Sequence, residues 1–179
     1  MSEHERRWVR AGLAYLAVSG VVMGLWATVG PSSFYRDFPG GGRHWVAGDG
    51  PFNAHLTGDA GAGFLALGVV LLLAAVWMDA RLIQAASVAT VVHDLPHLLY
   101  HLRHPNDALS SVDRVLITGG IGFGLVLALL LLAMVTPRVG VPERTGRGNL
   151  PGLSPARPAA TSVEAWTETQ TDERVEGGR

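Results

Sequence analysis

The chain has 179 residues, 48% of them hydrophobic and 16% charged, with a formal net charge of -1. So even a balance gives no basic field for a nucleic-acid partner, and none is expected. Cysteine is absent, which excludes a disulfide framework, a thiolate metal site and a cysteine nucleophile.

Arg6, Arg7 and Arg10 stand at the head of an apolar run that reaches Val29 with no charge after Arg10. At about 19 residues this run exceeds the ~7 to 15 of a cleavable export signal, and Ala27-Thr28-Val29-Gly30-Pro31 is a poor cleavage site. It reads as an uncleaved membrane anchor. Arg6 and Arg7 lack the rest of a twin-arginine pattern.

The 31–55 segment follows. Phe34, Tyr35, Phe38, Trp45 and Phe52 alternate there with Arg36, Asp37, Arg43 and Asp49 around Pro39-Gly40-Gly41-Gly42. Aromatic side chains of this kind favour the headgroup zone. The sequence predicts a loop without regular helix, folded over one mouth of a bundle, with Arg36 available to an anionic headgroup or substrate.

Three more apolar stretches complete the pattern. Residues 56–78 are interrupted only by Asp59, 82–102 carry a row of histidines and Asp94, and 115–135 have no charge. Each stretch of about 20 residues, at ~1.5 Å rise, covers the ~30 Å of a bilayer interior. A soluble helix would show a polar face, and Leu125 to Val135 offers none. The expected fold is all-α: a four-transmembrane-helix up-down bundle over residues 1–136, with spans at about 9–29, 56–78, 82–102 and 115–135. Residues 137–179, rich in Pro, Gly, Thr, Arg and Glu, read as a disordered cytoplasmic tail in which Trp166 is the one aromatic side chain.

Arginine sets the orientation. With the N-terminus inside, Arg6, Arg7, Arg10, Arg81, Arg138, Arg144 and Arg147 fall on the inner side and Arg36, Arg43, Arg103 and Arg114 on the outer. The excess of inner arginine places both termini in the cytoplasm of a cell inner (plasma) membrane. Glycines at 20 and 24, at 58, 61, 63 and 68, and at 120 and 124 supply small-residue ridges for close helix packing. The run Gly119-Gly120-x-Gly122-x-Gly124 follows no strand and is no dinucleotide fingerprint. Pro96 removes a backbone donor and should kink the third span.

The chemistry concentrates in that span. His93, His97, His101 and His104 lie within an arc of roughly 80° on a helix, and His55 and Asp59 repeat the four-residue step on the preceding span. Antiparallel neighbours bring the start of one span level with the end of the next, so His55, Asp59, His97 and His101 share a layer near the outer side. His93 and Asp94 lie deeper and, with His104, form a secondary group. An ionisable residue at that depth should face the bundle. Imidazole and carboxylate ligands suit a transition metal (Zn, Fe or Cu) rather than Mg or Ca, and an imidazole from each helix would suit haem b. The bland alternative is a hydrogen-bonded clasp between helices.

The stretches Gly24-Leu25-Trp26, Pro31-Ser32-Ser33-Phe34-Tyr35, Phe38-Pro39-Gly40, Gly50-Pro51-Phe52-Asn53-Ala54-His55-Leu56, Gly58-Asp59-Ala60-Gly61 and Pro96-His97-Leu98-Leu99-Tyr100-His101 resemble a group of uncharacterised four-helix bacterial membrane proteins, loosely similar to DoxX-like small membrane proteins. The resemblance covers residues 20 to 105 and implies a four-helix fold without implying an activity. The group's pattern has Glu where this chain has Ala54, and no counterpart of His93 or Asp94. The matching positions are His55, Asp59, His97 and His101, on which the candidate site is centred. Three functions follow: a metal- or haem-binding membrane protein, an accessory or scaffold subunit with a membrane protein partner or a second copy of itself, and a small transporter or lipid-binding protein.

Overall fold

The computed structural model describes residues 1–136; the tail expected from 137, with Trp166, lies outside the described residues. The order is α1 (Glu3–Val29), α2 (Pro31–Asp37), β1 (Pro39–Gly40), β2 (Arg43–His44), α3 (Ala54–Trp77), α4 (Ala80–Arg103) and α5 (Ser111–Val135). Four long helices match the four apolar stretches. Three of them, α1, α3 and α5, are long and apolar enough to cross a membrane. α4 is as long as α3 but carries Arg81, Gln84, three histidines, Asp94 and Arg103, so by apolar character it stands apart from the other three. Val18, Val22, Val76, Leu129 and Leu130 lie exposed on the long helices, a surface fitted to lipid rather than water.

Polar caps extend the helices past the apolar runs. Ser2 and Glu5 form a reciprocal capping box that starts α1 at Glu3, six residues before the apolar run. Asn53, Asp79 and Ser110 cap α3, α4 and α5 through side-chain oxygens, satisfying amides that have no partner within the helix. α4 runs through Pro96 without interruption. Between α3 and α4 only Met78 and Asp79 intervene. Met78 takes the left-handed conformation, φ 53°, usual for glycine at a helix end, at a cost of roughly 1–2 kcal/mol for an L-residue. Its side chain is buried in the core, which offsets that cost.

The 31–55 segment is more ordered than its sequence suggests. Pro31, pre-set at the first helical position, starts the short helix α2, and Trp26, Phe34, Phe38 and Trp45 pack edge to face in a continuous series. A two-residue antiparallel pairing, Pro39 opposite His44, closes around Gly40, Gly41 and Gly42, all at positive φ. That turn needs glycine at each position.

The packed core sits at one end of the bundle. Val9, Leu13, Leu16 and Ala17 of α1, Leu71, Ala74 and Ala75 of α3, Ile83 and Ala86 of α4, and Ala128 and Leu131 of α5 form one cluster with Met78. At the same end Arg10 Nε donates to Ala75 O (3.2 Å), and Gln84 Nε2 donates to Val135 O (3.3 Å). We call this the termini end and the opposite one the loop end.

Toward the loop end, α1 and α3 are held by backbone proximity. A Cβ on Gly24 would lie 2.3 Å from Leu65 N and 2.7 Å from Gly61 O, and one on Gly68 would lie 2.6 Å from Val21 N. Gly20 and Gly61 complete the seam, while Gly58, Gly63, Gly119 and Gly120 have open space where a side chain would go. Only part of the predicted glycine ridge is therefore a contact surface. Gly24→Ala should lower the thermal midpoint of the detergent-purified protein, by about 1–3 kcal/mol of overpacking or more. Gly119→Ala should be neutral or stabilising by up to ~1 kcal/mol. Equal effects of the two substitutions would show that the seam does not hold the helices.

Candidate histidine and aspartate site

α4 presents its histidines as a ladder. His93 meets Phe64 of α3 edge on, with ring centroids 4.9 Å apart, then His97 at 5.8 Å, and His97 meets His101 at 5.0 Å. The closest polar approach joins His97 Nε2 to His101 Nε2 at 3.1 Å. One helical turn separates the two residues, so their rings project on the same side of the helix. His104 caps α4 and stacks on Tyr100 at 4.6 Å, its Nδ1 3.1 Å from Tyr100 O. It takes part in the helix end and not in the His97–His101 pair.

His93 and Asp94 pair with each other, Nδ1 to Oδ1 2.8 Å. Asp94 is turned inward: a Cβ on Gly124 of α5 would lie 2.9 Å from its Oδ2 and 3.9 Å from Leu16 of α1. The carboxyl uses the space the glycine leaves, and only 16% of its side chain is exposed. Thr90, one turn before Asp94, bonds Ala86 O. In the termini half, Gln84 is committed to Val135 O, and Ser87 is fully buried beside the apolar cluster.

The expected four-residue centre divides in two. His55 Nε2 lies 3.4 Å from Asp59 Oδ2, with the two side chains 89% and 66% exposed, and neither bonds His97 or His101. Among the described residues, no group of three or more His, Cys, Asp or Glu side chains is arranged to hold a metal ion. The reason is rotational. The Phe64–His93 contact fixes the register, so Asp59, about 7.5 Å along α3 from Phe64, comes level with the His97 turn, about 6 Å along α4 from His93. Level residues on neighbouring helices meet only when both face the seam, and His55 and Asp59 face outward.

Among the described residues, the most heavily bonded carboxylate is one the sequence reading missed. Asp113, in the first turn of α5, accepts Trp45 Nε1–H at 2.8 Å and Ser110 Oγ–H at 2.6 Å, and pairs with the Arg43 guanidinium. A readable signal exists for half of this: Ser110-x-x-Asp113 is a capping pattern ahead of an apolar run. The other half comes from a loop about 70 residues earlier and leaves no local trace. Asn106 Nδ2 adds a second tie, donating to Asp49 at 2.8 Å. The loop is thus fixed to the start of α5. Arg36 offers its carbonyl to His44 Nδ1 at 2.5 Å.

Comparison with family models, curated proteins and solved structures finds no match to this chain.

Asp113→Ala should free both Arg43 and Trp45. The expected result is faster limited proteolysis within the 38–53 segment and a red shift of tryptophan emission, with the α-helical circular dichroism unchanged. An unaltered cleavage rate would mean that the aromatic series alone holds the loop.

Proposed function

We propose that this chain is a multi-pass integral membrane protein in which all four long helices cross the bilayer, and that it binds a transition-metal ion through His97 and His101 near the loop end. The reading places the termini end at the cytoplasmic face, following the arginine bias. One observation carries the metal assignment: the two Nε2 atoms converge to 3.1 Å. With metal–nitrogen bonds of about 2.05 Å, two imidazoles on one ion lie about 2.9 Å apart at a right angle and about 3.4 Å apart at the tetrahedral angle. The pair falls between these, so an ion can be held by both rings with little movement of either.

Two nitrogen donors favour Zn, Cu or Fe over Mg or Ca, which take oxygen shells. The remaining coordination positions are left to water or an external ligand, which is how a reactive or transferring site differs from a closed structural one. Haem b is less well supported. Two axial imidazoles must approach from opposite faces of the macrocycle, whereas His97 and His101 project from one side of one helix, and His55 is engaged with Asp59.

A second reading rests on the same distance. At 3.1 Å one neutral imidazole can donate Nε2–H to the other, making the pair a structural bond in an accessory subunit. Transport has less support, since Gln84 in the termini half is spent on a backbone carbonyl and Ser87 is enclosed.

Titration of the nanodisc-reconstituted protein with Zn2+ or Cu2+ separates the readings. We expect about one ion per chain with micromolar affinity, lost in His97→Ala and in His101→Ala and retained in His55→Ala. Absence of binding in the unsubstituted protein, with His97→Ala only lowering thermal stability, would establish the structural bond instead.

A further inference from the structure

Where α4 ends and α5 begins, a cavity of about 200 Å³ opens between the two helices, and its wall is divided by chemistry. Arg114, His101, His104 and Thr118 line it with polar groups, while Leu102 and Val115 carry apolar surface into it. Leu102 and Val115 are themselves largely exposed. In a helix pair that enters a bilayer they face acyl chains, and the end of the apolar stretch puts Arg114 at headgroup depth.

We infer that this cavity binds the phosphate of an anionic phospholipid, with Arg114 as its principal contact and one acyl chain lying along Leu102 and Val115. The guanidinium is available for the role. It contacts Asp107 at 3.2 Å and Ser111 at 3.3 Å, but the Asp107 side chain is 97% exposed. A surface carboxylate on a solvated loop exchanges readily, and Arg114 can then offer a forked pair of donors to a phosphate. Thr118 is already spent on the Arg114 carbonyl at 2.8 Å and His104 Nδ1 lies 3.1 Å from Tyr100 O, which leaves Arg114 as the charged donor of the wall.

A lipid fits better than free phosphate. One arginine is a small charge with which to retain a hydrated dianion against water and salt. A lipid adds the burial of its chain against the apolar half of the wall, and it is already concentrated and oriented at this depth. The inference rests on the proposed four-pass reading but not on the metal assignment: His101 borders the cavity, yet the contact to the phosphate is assigned to Arg114.

The test uses the whole chain in nanodiscs of phosphatidylcholine to which phosphatidylglycerol is added, with bound lipid counted by native mass spectrometry. Phosphatidylglycerol should be retained preferentially. Arg114→Gln should weaken it about tenfold, the worth of one charge-assisted contact, and Arg114→Lys should recover part of the loss. Arg103→Gln, which removes a nearby charge outside the cavity, should leave retention unchanged. Matching thermal midpoints for the Arg114 and Arg103 variants guard against a folding defect. The proposal is overturned if Arg114→Gln and Arg103→Gln weaken retention equally, which means general charge attraction. It is equally overturned if phosphatidylcholine is retained as well as phosphatidylglycerol, or if inorganic phosphate at millimolar concentration displaces the lipid, which makes the site one for the free anion.

Discussion

The approach of two backbones fixes most of this structure. At Gly24 a single methyl group would collide with Leu65 N and Gly61 O, so α1 and α3 touch through main chain where other helix pairs touch through side chains. Such contact gains dispersion over many atoms without the cost of ordering side chains. It also fixes the rotation of α3 about its own axis. Once Gly61 and Gly68 face α1, residues 55 and 59 are carried to a different face, and Phe64 is left to meet His93. The split between the His55–Asp59 pair and the α4 histidines is a consequence of where the glycines lie.

This explains which features were legible. The four long helices follow from run length alone. Their true starts do not, because Ser2 with Glu5, and Ser110 with Asp113, extend α1 and α5 through polar turns that hydropathy does not register. The pairing of His97 with His101 is written in their four-residue step. Pairing across helices is not, since depth constrains only one of the two coordinates that a contact needs and rotation is set elsewhere. The helix α2 was signalled by Pro31 and overlooked among the aromatic residues that pack it. The tie from Trp45 and Arg43 to Asp113 joins residues too far apart in the chain for any local pattern to announce.

Polar groups in the long helices are handled in two ways. In the termini half they are satisfied locally or enclosed: Thr90 on Ala86 O, Gln84 on Val135 O, Ser87 beside the apolar cluster. In the loop half Thr28, Thr57 and Thr118 are likewise bonded to local backbone carbonyls, whereas His93 faces Asp94 and His97 faces His101. The bonded groups of the first kind stabilise and leave little free to react, whereas the enclosed Ser87 hydroxyl has no partner and costs stability. The second sets imidazole nitrogens against one another or against a carboxylate, side chain to side chain.

The tight connection at Met78 and Asp79 has a bearing on how the chain is assembled. In the proposed four-pass arrangement α4, with its histidines and Asp94, is too polar to partition into lipid unaided, whereas α3 partitions readily. Two residues of separation leave no room for α3 to be threaded first and α4 to follow at leisure. The pair would be released into the bilayer as a single hairpin, the greasy arm carrying the polar one. Lengthening that connection would expose α4 to its own insertion energetics and give it the chance to remain at the surface.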